Sequence, residues 1–190
     1  RPKIDNSRKI LGFGVAPQQL GIGASFRYKD WNASFLVEGK SGGQMYSGSN
    51  VTMMGYGLHQ MTIPAGGREA GFIPDGVMED GSPVTISIPQ GQQSAYWGRY
   101  NDAAEAGIYD SDYFRMRQMS VGYTFPSSML EGTFIQAASV SLIGKNLFFL
   151  SNSVDNIDPE SAYNAGNSAG LEWFGLAVPR TIGVNVNLKF

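Results

Sequence analysis

Several stretches of the chain alternate apolar and polar residues with a period of two. In the last, Thr181 to Phe190, one face carries Ile182, Val184, Val186, Leu188 and Phe190, and the other carries Gly183, Asn185, Asn187 and Lys189. "LGIGASFRY" sets Leu20, Ile22, Ala24, Phe26 and Tyr28 against Gly21, Gly23, Ser25 and Arg27. "WNASFLVEG" sets Trp31, Ala33, Phe35 and Val37 against Asn32, Ser34, Leu36 and Glu38. Met119, Val121, Tyr123 and Phe125 oppose Gln118, Ser120, Gly122 and Thr124. Phe134, Ala138, Val140 and Leu142 oppose Ala137, Ser139, Ser141 and Lys145, with Gln136 out of pattern. Period-two alternation predicts half-buried strands, here over about 20–28, 31–39, 114–125, 133–147 and 180–190. The Lys29-Asp30 turn joins the first two into a hairpin, and Pro126 stops the third because it cannot donate to a ladder.

The connections alternate in length as regularly as the strands. They are short after Tyr28 and over Pro126 to Gly132, and long over about 41–111 and 151–178. Strands of about ten residues with an apolar face, short turns at one end and long loops at the other are the pattern of a transmembrane β-barrel with periplasmic turns and extracellular loops. Tyr28, Trp31, Tyr123, Phe125, Phe134 and Phe190 all fall at the short-turn end, where an aromatic girdle is expected; Phe114, Phe148 and Phe149 could supply the opposite one. The apolar face is then buried against lipid, and Ser25, Arg27, Asn32, Ser34, Ser139, Ser141, Asn185 and Asn187 line the lumen. Soluble sandwiches alternate too, but their solvent faces usually carry Lys and Glu rather than the Gly, Ser and Asn found here.

Composition agrees. Only 16% of residues are charged, against roughly 25% in soluble domains, while there are 25 glycines and 23 aromatic residues among 190. A net charge of −2 with no basic stripe points away from nucleic acid. Without cysteine there is no disulfide or thiolate metal site. No apolar run is long enough for a transmembrane helix, and "RPKIDNSRKI" lacks the apolar core of a signal peptide.

Two consequences follow from the strand count and the strand faces. A membrane strand cannot leave its edge unpaired in hydrocarbon, and bacterial single-chain barrels have even strand numbers from about 8 upward. Five strands therefore read as an all-β piece, incomplete on its own: the last five of a larger barrel whose first part lies elsewhere. Arg115 and Arg117 share the parity of Met119 and Tyr123, so in a regular strand they would lie on the lipid face. Counting up from Phe125 places them at or above the outer headgroups, because a strand spans in about 9–11 residues.

The blocks "GIYDSDYFRMRQMSVGYTFP" (107–126), "GKNLFF" (144–149), "DNIDPES" (155–161), "VPRTIGVNVNLKF" (178–190) and "FRYKDWNASFLVEGKSGGQMY" (26–46) resemble the C-terminal barrel segment of SusC-like TonB-dependent outer-membrane transporters. The resemblance covers most of the chain from about Leu20. It implies a 22-stranded barrel in the outer membrane, plugged by an N-terminal domain, energised by the TonB complex and lidded by a SusD-like surface lipoprotein. It also implies import of glycan or peptide fragments. The partners it implies are the remaining barrel and plug of the same transporter, the lipoprotein, TonB, the barrel-insertion machinery and membrane lipid; the alternative is an outer-membrane barrel of another kind, an adhesin or a membrane enzyme.

Motifs for other chemistry are sparse, so neither an enzyme nor a cofactor is expected. The single histidine, His59, lies in the first long loop without identifiable dyad or ligand partners. "GFGVAPQQLGIG" (12–23) precedes a strand rather than a helix, unlike a phosphate loop. "DNIDPE" offers Asp155, Asp158 and Glu160 as oxygen ligands but lacks the glycine and distal glutamate of a calcium loop, and reads as an Asx-capped turn. "SAYWGRY" groups Tyr96, Trp97 and Tyr100, which could contact a sugar or a partner, or pack the loop's own core. Phe190, an aromatic terminus on an alternating strand, reads as a signal to the insertion machinery through β-augmentation.

Overall fold

The structure is a computed structural model that describes residues 2–162 and 166–190. In chain order the elements are β1 (Gln18–Tyr28), β2 (Trp31–Ser41), β3 (Gln44–Ser47), α1 (Gly48–Gly55), α2 (Gln90–Trp97), β4 (Ile108–Asp110), β5 (Tyr113–Phe125), β6 (Ala137–Lys145), β7 (Phe149–Asn152), β8 (Leu171–Glu172) and β9 (Thr181–Lys189), with short 3₁₀ turns between them. They fall into two compact units. Phe13–Gln44, Asp110–Ser161 and Leu176–Phe190 form the sheet unit; Arg1–Gly12, Met45–Tyr109 and Ala162–Gly175 form the loop unit.

In the sheet unit the strand order is β1-β2-β5-β6-β9, all neighbours antiparallel, and β7 pairs with β5 beyond the end of β6. Directly paired residues share a face, so the register assembles rows across the whole sheet. Arg27, Asn32, Gly122, Ser141 and Asn185 form one row, and Ser25, Ser34 and Ser120 form the next, extended by Ile143 and Gly183. On the opposite face Tyr28, Trp31, Tyr123, Val140 and Val186 line up, followed by Phe26, Ala33, Val121, Leu142 and Val184. One face is thus mostly polar, interrupted by Leu36, Ala137, Ile143 and Phe149, and the other is mostly apolar. The outer edges of β1 and β9 have no strand partner among the described residues. The apolar face is open: Ile22, Phe26, Leu142, Ile182 and Val184 are each more than half exposed.

Three local features depart from a regular reading. Leu36 pairs with Gln118 but Val37 pairs with Met116, so Arg117 is an extra residue in β5. Such a bulge shifts the strand by one. Met116 is thereby returned to the apolar face beside Val37, while Arg115, opposite Glu38, lies on the polar face. The lipid-side parity expected of Arg115 and Arg117 is reversed for this reason. Phe149, expected in the outer girdle, pairs with Arg115 and lies under its guanidinium at 3.9 Å, on the polar side. The fourth strand runs only from Ala137, because Thr133 turns back to bond the Leu130 carbonyl, and it ends at Lys145 before Asn146 at φ 52°. At the short-turn end Trp31 meets Tyr123 at 5.0 Å and Phe134 stacks on Phe190 at 5.6 Å. Gly39 is required where it stands, since a Cβ there would enter the ring of Phe114.

The loop unit gives the long 41–111 connection structure of its own. β3 runs parallel to β8 and lies between it and β4. The Ser47 side chain caps α1 by accepting from the Asn50 N–H at 3.0 Å, a favoured N-cap arrangement. Met45, Val51, Met54 and Trp97 form the buried apolar core. No helix among the described residues is long and apolar enough to cross a membrane, which says nothing about crossing by strands.

Candidate functional site

The bulge in β5 brings the densest cluster of charge in the sheet unit to the long-loop end of the polar face. Arg117 clamps Glu160 with two nitrogens, at 2.6 and 3.0 Å, and donates from Nε to Glu38 at 2.7 Å and from Nη1 to Asn146 at 2.9 Å. Arg115 donates to Asp158 at 2.5 Å and also to Glu160. The Tyr113 hydroxyl donates to Glu160 at 2.7 Å. Arg115 and Asp158 each have a side chain only 4% exposed, so this is a desolvated network rather than a surface ion pair. The Arg115 Nε–H is buried with no hydrogen-bond acceptor, and the guanidinium rests on the Phe149 ring instead, a cation–π contact that partly compensates.

Asp158 and Glu160 belong to the "DNIDPES" block. Asp158 accepts the Glu160 N–H at 2.9 Å, which makes an Asx turn, and also the Val178 N–H at 3.1 Å. The turn reading of this block therefore holds at Asp158, and its two carboxylates serve the arginines. Burial would raise the Glu160 carboxyl, but the hydrogen bonds from Arg117 and Tyr113 and the charges of both arginines outweigh it and hold the group below its usual range. Chemically the cluster neutralises itself and pins the 158–160 and 178 backbone to β5. It leaves no free base or nucleophile, and among the described residues no group of three His, Asp or Glu is placed to hold a metal ion.

The eight polar residues expected to line a lumen stand together. Register places Arg27, Asn32, Ser141 and Asn185 in one row, Ser25 and Ser34 in the next, and Ser139 opposite Asn187. Ser34 and Ser120 share a hydrogen bond of 2.7 Å. In the loop unit Tyr96, Trp97 and Tyr100 are also brought together, around Phe72. Phe72 stacks on Trp97 at 5.5 Å, and Trp97 meets Tyr96 at 5.1 Å and Tyr100 at 5.3 Å. Trp97 is 8% exposed and buried in this group, while Tyr96 and Tyr100 are half-buried. His59 accepts the Met61 N–H at 3.2 Å and so caps a 3₁₀ turn. Glu172, 1% exposed, accepts from Ser47 at 2.8 Å, Ser49 at 2.6 Å and the Gly175 N–H at 3.1 Å. Glu172 lay in a loop without periodicity, and no sequence signal singled it out. The ionic cluster had a signal: two arginines on a strand whose next long connection, 151–178, carries "DPE".

No protein-family model matches the chain. A TonB-dependent receptor, P3, of Formosa agariphila is 25% identical over 189 residues, 96% of this chain and 17% of that protein. Among solved structures, the RagAB peptide importer in its "open-open" state superposes with a TM-score of 0.62 at 17% identity, covering 93% of this chain and 17% of that one. Its "closed-closed" state gives 0.61 at 17% identity, covering 96% and 18%. The fold is that of part of a much longer transporter chain, and the resemblance to TonB-dependent transporters read from the sequence is borne out. The relatives are a receptor and an importer, not enzymes, and the chain spans about a sixth of their length.

Proposed function

We propose that this chain is the C-terminal wall of a 22-stranded TonB-dependent transporter of the outer membrane, importing peptide or glycan fragments. The observation that carries the reading is the two-faced sheet: five long antiparallel strands with an open apolar face, a mostly polar opposite face and, among the described residues, no strand partner at either outer edge. In water that apolar face and those edges would drive aggregation; in a bilayer the face meets lipid, and the remaining barrel strands pair the edges. Ser25, Arg27, Asn32, Ser34, Ser139, Ser141, Asn185 and Asn187 then line the lumen around the plug. The loop unit and the 151–178 connection lie outside the cell, where Tyr96, Tyr100 and exposed apolar residues of the loop unit such as Tyr56 and Leu58 meet a SusD-like lipoprotein lid. The ionic cluster is the anchor that holds the 151–178 connection over the barrel rim.

The test is uptake by the full-length transporter. Cells lacking its gene should lose accumulation of fluorescent oligopeptides or oligosaccharides. A transporter with its TonB-contacting segment deleted should fail to restore uptake while still reaching the outer membrane. Normal uptake without the gene, or recovery of the protein from the soluble fraction, would reject the reading.

A further inference from the structure

The apolar face of the sheet is not uniformly filled. A groove of about 290 Å³ crosses β2, β5, β6 and β9. Trp31 and Tyr123 wall it at the short-turn end, Leu142 and Val184 further along, and the small side chains of Val121 and Val140 leave it open between them. Gly122 and Ser141 send nothing into it, because alternation directs them to the polar face. The groove therefore runs from the aromatic row of Trp31, Tyr123 and Val140 into the all-aliphatic row of Val121, Leu142 and Val184.

A cation stands at the aromatic end. Lys29, at φ 53° in the turn between β1 and β2, places its ammonium 5.5 Å from the Tyr28 ring and enters none of the ion pairs among the described residues. Tyr28 pairs with Trp31, so the ammonium, the phenol and the indole that walls the groove stand at the same, short-turn end of the sheet. An ammonium and amphipathic rings suit a headgroup region, and an aliphatic groove suits a hydrocarbon chain. The order matches a lipid entering from the short-turn side, with its phosphate at Lys29 and its tail toward the membrane centre.

We infer that this groove is a specific site for one glycerophospholipid, its phosphate paired with Lys29 and one acyl chain lying between Trp31–Tyr123 and Leu142–Val184. The inference rests on the membrane-barrel reading and adds to it a retained, stoichiometric ligand. The full-length transporter, purified in non-denaturing detergent with added phosphatidylglycerol, would be weighed by native mass spectrometry. The wild type should carry one phospholipid. Val140→Trp, which fills the groove, should lower occupancy about tenfold, and Lys29→Ala about fivefold. Ile22→Trp, on the same face outside the groove, should leave it unchanged. Heat-modifiable migration on gels reports barrel assembly for each variant, and Lys29→Ala keeps the test open if Val140→Trp does not assemble. Equal retention in the groove variants and the wild type, or equal loss in Ile22→Trp, overturns the site. An assembled barrel that holds no lipid rejects this inference alone, whereas a wild-type protein outside the outer membrane rejects the barrel reading itself.

Discussion

At the scale of single residues the arginine pair of β5 is decisive. Removing one partner from a desolvated ion network leaves its counter-charge buried, at a cost of about 3–5 kcal/mol. Arg115→Leu should therefore destabilise by that order, and Asp158→Ala similarly, measured as a lowered unfolding midpoint of the full-length barrel in detergent. Within the same network, pH acts through Glu160. Its carboxyl lies lower in the folded protein than its ordinary value of 4.5, so its contribution to stability is complete above that value. It is lost as pH falls below 4.5 through the folded-state value. Hydrogen exchange in the 151–178 connection should accelerate over that acid window in the wild type. In Glu160→Gln the same step should be absent; an identical profile in both proteins would remove Glu160 from the anchoring role.

At the scale of elements, β9 carries the membrane reading most plainly. Every residue of Thr181–Lys189 is exposed in the isolated sheet, yet Ile182, Val184, Val186 and Leu188 alternate with Gly183, Asn185 and Asn187. Spin labels placed along β9 of the full-length protein should alternate in accessibility to a lipid-soluble quencher, and uniform values would contradict the assignment of faces. Phe190 stacks on Phe134 at 5.6 Å, and we propose that it serves as an assembly signal as well as a girdle residue. Deleting it should remove the assembled barrel from the outer membrane and leave precursor in the periplasm. Normal assembly with only a lower melting temperature would confine Phe190 to the girdle.

For the whole molecule the prediction concerns sides. The chain contains no cysteine, so single introduced thiols report position cleanly. Tyr56, 80% exposed in the loop unit, should react as Tyr56→Cys with a membrane-impermeant maleimide on intact cells. Lys29→Cys, in the turn between β1 and β2, should react only after the envelope is opened. The reverse pattern would invert all five strands.

The sequence by itself determined the strands and their faces, because a period of two is a local property that each stretch displays without reference to its neighbours. Leu20 to Tyr28, Trp31 to Glu38 and Thr181 to Phe190 state which side is apolar before any pairing is known. The resemblance of the quoted blocks to TonB-dependent transporters was likewise present in the order of residues. What the tertiary structure decided was everything that depends on register. The extra residue at Arg117 is invisible in the pattern of β5 alone and exists only relative to Val37 and Leu36 on β2. That single offset moves Arg115 onto the polar face, creates the network with Asp158 and Glu160, and turns Phe149 away from the girdle. The loop unit was illegible for a related reason. Its core joins Met45, Val51 and Met54 from one short segment to Trp97 from another far along the chain, and that burial follows from contacts between elements rather than from a sustained repeat along one.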